Sequence, residues 1–493
     1  MRIRSLIALG CADAVTLAIA APAAANTSQI SLMQDDDLLL YRGPDVQQST
    51  LQRMLALGVD TVRINLIWRN VVGKGSKKVK RKPSNPRSYP AANWDPYDGV
   101  VRQAAALGMG VYVTVTGPVP DFAEGPKPPS RSEATVWKPN AKMYGQFVEA
   151  VGRRYSGGYA DENDSTPLPA ITTWSLWNEP NQAGWLEPQW DDRRPTSPKL
   201  YKSLFFAADR ALRKTGHGGD QIYLGETAPL GSKAKSRKAP MGPKTFLAAL
   251  FRGGKRFPVT GYAHHPYTKK NPPNVPDRSP GAITVANIGD LESILDRSGN
   301  VSAGLPILST EFGYESNPPD PFNGIPQDVQ AEWMNEGDAM MYNDPRITGN
   351  TQFLLRDAPG NSHYSPSSRR YWFTYQSGLY NADDTPKPAV QAYAMPLVAT
   401  PIGTNPDGTT ALSIWGQLRF RANNAAPTPV QLQFRPQGST DWTDTGPPIG
   451  VTDPLGFYQG QVSIPFAGVV RAVWTSTTEY PFTLSSREAI VSF

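Results

Sequence analysis

The sequence predicts an α/β fold: a (β/α)8 TIM barrel followed by a small C-terminal antiparallel β-sandwich domain. Its 493 residues are too many for one ordinary domain. Short β-rich segments alternate with helix-like segments from about residue 35 to 395, and beyond about residue 400 the chain turns to short strands of period two. We therefore expect a barrel over residues 26–400 and a sandwich over 405–493.

Eight segments rich in apolar and β-branched residues are predicted as the barrel strands, namely 35–41, 59–68, 109–117, 171–178, 221–226, 259–265, 305–311 and 351–357. Segments with helical spacing follow four of them, at 49–58, 95–108, 140–155 and 200–216. Such alternation implies right-handed parallel crossovers, and eight of them favour a closed barrel. The alternative is an open doubly wound sheet, which calls for a Gly-rich phosphate loop that this sequence lacks.

The C-terminal strands show strict alternation of apolar and polar residues. "LSIWGQLRF" (412–420), "VQLQFR" (430–435), 468–475 and 486–493 all have this pattern. Period-two strands at short intervals, separated by turns, predict an antiparallel sandwich. Its role stays open between binding carbohydrate and bracing the barrel.

Residues 1–25 are typical of a secretory signal peptide. Arg2 and Arg4 form a charged start, an apolar stretch follows, and the alanines at 23–25 offer a cleavage site. A transmembrane helix is disfavoured because the apolar stretch is short and interrupted by a charge. Lipid attachment at Cys11 would require an unusually short apolar stretch. We therefore expect a secreted, extracellular protein.

Cysteine and charge restrict the chemistry further. Cys11 is the single cysteine, so the mature chain is expected to have no disulfide, thiol nucleophile or thiolate metal site. The net charge is +6, and much of the excess lies in two basic runs, 74–87 and 231–240. These runs are interpreted as solvated loops or as contacts for an anionic or cell-wall polymer. Without an aromatic-basic recognition motif, no nucleic-acid partner is expected.

Two glutamates are the candidate catalytic residues. Glu179 directly follows the predicted strand 171–178, and Glu311 ends the predicted strand 305–311. In a (β/α)8 barrel the carboxyl ends of the strands face the active site, so both side chains are expected at its mouth. Glycoside hydrolysis requires such a pair, one acid to protonate the leaving oxygen and one carboxylate to attack or to activate water.

Other residues at the predicted mouth are candidates for substrate binding. An arginine within a strand can hold a carboxylate ionised, an asparagine can bond a sugar hydroxyl, and tryptophan rings offer flat faces for sugar rings. The candidates are Arg63, Asn178, His265, Tyr267, Trp68 and Trp185, with Trp177 and Trp190 as further flat faces. Glu226, at the end of a strand, is left open between sugar contact and a structural ion pair.

No metal and no cofactor are expected. His264 and His265 are adjacent, but neighbouring strand residues point to opposite faces of a sheet. The chain has four histidines and no nearby pair at helical spacing. A Gly-x-Ser-x-Gly elbow is missing, which disfavours a serine hydrolase.

The motifs around the two glutamates resemble a known family. "LWNEPN" (176–181) together with "STEFGY" (309–314) resembles the acid/base and nucleophile motifs of the clan A retaining glycoside hydrolases, especially the cellulase-like and β-xylosidase/iduronidase-like families. "LGVDTVRINLIW" (57–68) resembles their second strand, and "HHPY" (264–267) their sixth. "QSGLYNADDTPKPAVQAY" (376–393) resembles the ending that follows their eighth strand.

The resemblance spans about residues 35–395 and implies a role for each matched residue. It implies that Glu179 is the general acid/base, Glu311 the nucleophile, Asn178 a ligand of the sugar 2-hydroxyl, Arg63 and Tyr267 the groups that orient Glu311, and His265 a subsite residue. One departure stands out. Such families often end strand eight with a tryptophan as a sugar platform, whereas "TQFLLRD" supplies Gln352 and Asp357 here, with "YWFTY" (371–375) downstream.

The sequence thus predicts a secreted retaining glycoside hydrolase that acts on a polysaccharide or oligosaccharide. The alternative is a non-catalytic extracellular protein that binds glycan on a barrel scaffold. The sugar, the linkage, endo or exo action and the oligomeric state are left open by the sequence.

Overall fold

Eight parallel strands close a barrel in the computed structural model, which describes residues 26, 28–74, 76–420, 429–476 and 482–492. The strands are β1 (Ile30–Gln34), β2 (Thr61–Ile67), β3 (Gly110–Thr116), β4 (Thr173–Leu176), β5 (Gln221–Thr227), β6 (Gly261–His264), β7 (Ile307–Phe312) and β8 (Ile347–Phe353). Each pairs in parallel with its sequence neighbour, and β1 closes the ring by pairing with β8. The expected signal peptide lies outside the described residues.

Helices connect the strands and cover the barrel. They are α1 (Asp36–Leu40), α2 (Pro44–Ala56), α3 (Trp68–Val72), α4 (Ser76–Arg81), α5 (Asp95–Ala106), α6 (Ala141–Arg154), α7 (Ser197–Lys214), α8 (Pro243–Leu250), α9 (Ile288–Ser298), α10 (Gln327–Tyr342) and α11 (Ala389–Ala394). The four predicted helices correspond to α2, α5, α6 and α7. Along the described chain, no helix combines the length and the apolarity that crossing a bilayer requires.

The predicted fold class is confirmed, but the first strand was placed wrongly. The run 35–41 was predicted as a strand, whereas α1 occupies most of it and β1 lies just before it. The carboxylate of Asp35 accepts a hydrogen bond from the backbone N–H of Leu38 at 3.1 Å and so caps the helix. The predicted strand 351–357 is likewise displaced, since β8 ends at Phe353.

Two antiparallel sheets follow the barrel. Their strands are β9 (Leu397–Thr404), β10 (Thr410–Gln417), β11 (Pro429–Pro436), β12 (Thr443–Asp444), β13 (Ile449–Gly450), β14 (Phe457–Ile464), β15 (Gly468–Thr475), β16 (Thr483–Ser485) and β17 (Ala489–Val491). One sheet has the order β9-β10-β14, and the other is built on β11 and β15. Their inner faces share one apolar core, in which Ile414, Leu432 and Trp474 are buried. The two sheets therefore form a sandwich.

The sandwich is packed firmly on the barrel. Arg419, which is almost fully buried, donates to Asp338 Oδ2 on α10 at 2.8 Å and to the carbonyl of Tyr393 at 3.1 Å. Gly58, in the turn before β2, meets the same arginine: a Cβ atom there would lie 2.4 Å from the backbone carbonyl carbon of Arg419. Gly58 also has a φ of +85°, so both the close contact with Arg419 and the backbone conformation require glycine at this position.

Candidate active site

Six of the predicted site residues meet at the carboxyl ends of the barrel strands. They are Arg63 on β2, Asn178 and Glu179 directly after β4, His265 and Tyr267 after β6, and Glu311 on β7. Side chains at these positions converge because parallel strands end at one face of the barrel. The cluster is largely buried, with one carboxylate more accessible than the others.

Glu311 is held by two donors. Arg63 Nη1 donates to Glu311 Oε1 at 2.7 Å, and the Tyr267 hydroxyl donates to Oε2 at 3.0 Å. The arginine is fully buried, and the glutamate side chain is 10% exposed. A cation and a hydroxyl that donate to different oxygens fix the orientation of this carboxylate.

Glu179 is the most accessible carboxylate of the cluster, with its side chain 21% exposed. Its backbone has a φ of +36°, in the left-handed region that is costly for residues other than glycine. The strained conformation is held by the backbone N–H of Glu179, which donates to the carbonyl of Glu226 at 2.9 Å. Its side-chain Oε1 accepts from Nδ1 of His265 at 3.0 Å.

His265 lies among three carboxylates. Its Nε2 donates to Glu226 Oε2 at 2.9 Å, and its Nδ1 lies 3.0 Å from Glu179 Oε1 and 3.5 Å from Glu311 Oε2. Burial opposes a charge on the ring, but these carboxylates raise the pKa of His265 to about 9. The imidazole is therefore a cation at neutral pH.

Glu226 on β5 is a buried ion-pair residue, which decides between the two interpretations that the sequence left open. Its carboxylate, 1% exposed, accepts from Arg63 Nη2 at 3.1 Å and from the Tyr112 and Thr310 hydroxyls, each at 2.6 Å. Burial opposes its ionisation, but the charges of Arg63 and His265 and these hydrogen bonds hold the pKa of Glu226 well below its usual range. It has no surface left for a sugar.

Asn178 connects this charge network to the open mouth. Its side-chain oxygen accepts from Arg63 Nη2 at 2.9 Å, which fixes the amide orientation. Its backbone N–H donates to Thr116 at 3.0 Å. The amide nitrogen donates to no group among the described residues, so it is available to an incoming hydroxyl.

The two predicted catalytic carboxylates lie close together across the mouth. A carboxylate oxygen of Glu179, one of Glu311 and a ring nitrogen of His265 all lie within 4.8 Å of one another. Three such ligands, two carboxylates and one imidazole, can hold a metal ion, but His265 is engaged at both nitrogens with carboxylates. A doubly protonated imidazole has no lone pair for a metal. The site is therefore better suited to proton transfer than to metal binding.

The tryptophans were assigned wrongly in part. Trp68 is 1% exposed and stacks on Phe147 with ring centroids 5.3 Å apart, so it is a core residue and not a wall of a sugar subsite. Trp177 is fully buried, and Trp190 is 9% exposed with its ring nitrogen donating to the carbonyl of Ala239. Trp185 lies partly exposed in the loop after β4, and its subsite role stays a prediction.

At the carboxyl end of strand eight, the two residues that stand in place of a tryptophan platform do not face a sugar subsite. Asp357 is buried and pairs with Lys387 at 2.6 Å, and the Gln352 amide donates to the carbonyls of Leu354 and Ser377. Both are therefore structural. The residue beside the catalytic cluster is Phe353, whose ring centroid lies 6.2 Å from that of Tyr267.

Gln34 is a further member of the cluster that the sequence interpretation missed. It ends β1, and its amide oxygen accepts from Nη1 of Arg63. The displaced assignment of strand one to 35–41 left this residue just ahead of the first strand. A strand ending at Gln34, before a capped helix, would have placed it at the mouth.

No protein family model matches the sequence, and no curated protein matches it. Among solved structures, the chain is similar to a glucosidase from Croceicoccus marinus, with a TM-score of 0.52 and 14% identity over 95% of this chain and 93% of that one. It is also similar to the endo-β-1,4-mannanase from Thermotoga petrophila, with a TM-score of 0.45 and 11% identity over 94% and 98%. The likeness to the glucosidase is one of fold.

Fold and site together define a (β/α)8-barrel protein with an appended β-sandwich and a carboxylate pair at the barrel mouth. The pair is built from β4 and β7 and is flanked by two buried cations, Arg63 and His265.

Proposed function

We propose that this protein is a glycoside hydrolase that cleaves O-glycosidic bonds in a polysaccharide or oligosaccharide by double displacement. The observation that carries the proposal is the approach of the Glu179 and Glu311 carboxylates to within 4.8 Å at the barrel mouth. Retaining enzymes place the two carboxyl groups about 5–5.5 Å apart, whereas inverting enzymes need about 6.5–9.5 Å to admit a water molecule. The separation here favours retention.

Glu311 is assigned as the nucleophile. Its two oxygens accept from Arg63 and Tyr267, so the carboxylate is oriented and has little rotational freedom. In the first step it attacks the anomeric carbon, and the bond from that carbon to the leaving oxygen breaks. A covalent glycosyl–enzyme ester results.

Glu179 is assigned as the general acid and base. It is the more accessible of the pair, and it is bonded through one oxygen to His265. Its proton passes to the leaving oxygen in the first step. In the second step Glu179 takes a proton from water, which attacks the anomeric carbon and releases Glu311.

The charge inventory of the cluster agrees with these roles. Glu179, Glu226 and Glu311 would carry three negative charges when ionised, against the two positive charges of Arg63 and His265. One proton makes the buried cluster neutral, which lowers the cost of burying it. Glu226 is held ionised by its partners, and the acid/base role proposed for Glu179 calls for the remaining proton there.

The proposed glycan partner is supported by a polar group and an aromatic ring in the segment after β4. The amide nitrogen of Asn178 is a free donor among the described residues, and Trp185 is partly exposed in the loop that follows β4. The glucosidase that shares the fold is itself a glycosidase by name, in keeping with this proposal. Export by the signal peptide 1–25 and contact of the basic runs with anionic polymer belong to the same proposal.

A product analysis tests the proposal. The enzyme is incubated with a panel of polysaccharides and chromogenic glycosides, and the anomeric configuration of the first product is read by proton NMR. We expect retained configuration, a loss of turnover on the order of 1,000-fold or more in Glu311→Ala, and azide rescue of that variant to a glycosyl azide of inverted configuration.

Glu124→Ala serves as the matched control, because Glu124 lies in the loop after β3 and forms no ion pair among the described residues. Full activity of Glu311→Ala would refute the assignment. Tight binding of glycans without any product across the panel would favour the non-catalytic alternative.

A further inference from the structure

An aromatic segment stands exposed beside the catalytic cluster. The loop after β8 contains "YWFTY" (371–375), in which Phe373 is 69% exposed and Tyr375 is 56% exposed. Large aromatic side chains exposed to this extent lose the stabilisation that burial gives, so a pair of them beside a mouth indicates a binding surface.

The segment is a braced part of the fold. The backbone N–H of Ala358 donates to the carbonyl of Tyr375 at 2.8 Å, and that of Asn361 donates to the carbonyl of Tyr371 at 2.8 Å. The side chain of Gln376 donates to the carbonyl of Ala358 at 3.1 Å. The two exposed rings are therefore presented on a fixed backbone, which reduces the entropy lost when a ligand binds.

The exposed rings are continuous with the proposed catalytic centre. The Tyr375 ring meets Phe353 edge-on with centroids 5.1 Å apart, and Phe353 meets Tyr267 at 6.2 Å. The Tyr267 hydroxyl in turn donates to Glu311.

We propose that Tyr375 and Phe373 form a strip that binds the sugar units of a glycan chain extending out of the catalytic centre, so that the enzyme prefers chains over glycosides of a single sugar. This inference rests on the proposed function. A pyranose ring has an apolar face of C–H groups and a polar edge, and an exposed aromatic ring matches that face while the edge stays in water. Tyr375 receives the nearer unit and Phe373 a unit farther out.

Binding measurements with the full chain test the strip without relying on turnover. Hexasaccharides of glucose, mannose, xylose and galacturonic acid are titrated calorimetrically into Glu311→Gln. Phe373→Ala and Tyr375→Ala are then added separately to that background. Phe466→Ala is the matched control, since this phenylalanine is 51% exposed but lies in the sandwich, away from the barrel mouth.

We expect each strip substitution to raise the Kd of the bound hexasaccharide about tenfold, and the control to change it less than twofold. Unchanged affinity in both strip variants would overturn the inference, as would failure of all four hexasaccharides to bind. A concentration-dependent dimer that Phe373→Ala abolishes, with no effect on glycan affinity, would show that the segment contacts a second copy and would also overturn it.

The two proposals fail in different ways. Affinity that depends on Phe373, together with no hydrolysis by the unsubstituted enzyme, leaves the strip standing and removes the catalytic assignment. Hydrolysis of chains with affinities unaffected by either strip substitution leaves the catalytic assignment standing and removes the strip.

Discussion

The Nε2 atom of His265 lies 2.9 Å from the carboxylate of Glu226, deep below the pair of glutamates that face the mouth. The same carboxylate binds Arg63, and the backbone carbonyl of Glu226 accepts the N–H of Glu179. One buried residue therefore fixes the acid/base backbone, the histidine that bonds its side chain, and the arginine that bonds the nucleophile. Glu226 acts through these neighbours as a positioning residue.

Glu226→Gln is expected to lower kcat by about 10- to 100-fold, in the range seen when a group that orients site residues is removed. The neutral amide no longer stabilises the His265 cation, so the pKa of His265 falls. Because the charged His265 donates to the acid/base Glu179, the alkaline limb of the kcat profile is expected to move to lower pH with it. The profile of kcat against pH is the measurement. A lower kcat with an unmoved alkaline limb would contradict the positioning role.

Glu187→Gln is the matched control for that experiment. Glu187 is another buried glutamate, in the loop after β4, and it faces Arg237 and Lys238 instead of the catalytic cluster. Its substitution is expected to leave the pH profile in place, whatever it does to stability.

The adjacent histidines are expected to titrate far apart. The carboxylates around His265 raise its pKa to about 9, whereas burial lowers the pKa of His264 to about 4. The chain contains four histidines, so an NMR titration of their ring protons can resolve them, with His264→Gln and His265→Asn to assign the signals. A pKa of His265 near its ordinary 6.5 would show that the carboxylates do not gather around it.

These shifts also predict how stability depends on pH. The contribution of His265 is complete below about pH 6.5, its unfolded pKa, and is lost as pH rises through 9. That of His264 is present above about pH 6.5 and is lost as pH falls towards 4, because the unfolded chain binds the extra proton. Urea unfolding across this range, compared with His265→Asn, measures the first contribution. That variant should lose less stability between pH 6.5 and 9 than the unsubstituted chain.

The sequence predicted the site residues at the barrel mouth better than the buried residues beneath them. Glu179 and Glu311 were placed at the mouth because they leave apolar strands, and the structure brings them together. The network beneath them was harder to predict. Which pairs form between Arg63, Glu226 and Gln34 depends on the register of three separate strands, and no local pattern encodes that register.

The errors in the fold prediction, by contrast, have local causes. The run "DDDLLLY" is apolar enough for a strand, and periodicity cannot distinguish a short buried strand from a short buried helix. The acidic start was the signal that was missed, because Asp35 caps the helix and Asp36 and Asp37 lie in its first turn. Trp68 was misjudged because it begins α3, so its ring points into the layer between barrel and helices.

Substitution of Trp68 and of Trp185 should change the free energy of unfolding by very different amounts. Trp68→Ala is expected to reduce the free energy of unfolding by about 3–5 kcal/mol, because it leaves a cavity in a packed aromatic cluster. Trp185→Ala, in a partly exposed loop, should change it by less than about 0.5 kcal/mol. Denaturant unfolding measures both. Equal losses of stability would show that Trp185 is a core residue too.

Lys387 and Asp357 form an ion pair with both side chains fully buried. Lys387→Met leaves the carboxylate buried without its cation, so we expect about 3–5 kcal/mol less stability, most of it restored in the double variant Lys387→Met/Asp357→Leu. Lys244→Met, which breaks the exposed pair with Asp290, should cost less than about 1 kcal/mol. Urea unfolding compares the three variants. A double variant no more stable than Lys387→Met would contradict this account.

The junction at Arg419 has a consequence for how the molecule can be rearranged. A binding module joined by a linker can be moved between enzymes as a cassette. Here a turn of the barrel is shaped around the backbone of a sandwich residue, whose guanidinium reaches into the barrel helices. The barrel and the sandwich are therefore expected to unfold in a single thermal transition. Removing the sandwich would deprive the barrel of contacts that its own fold requires.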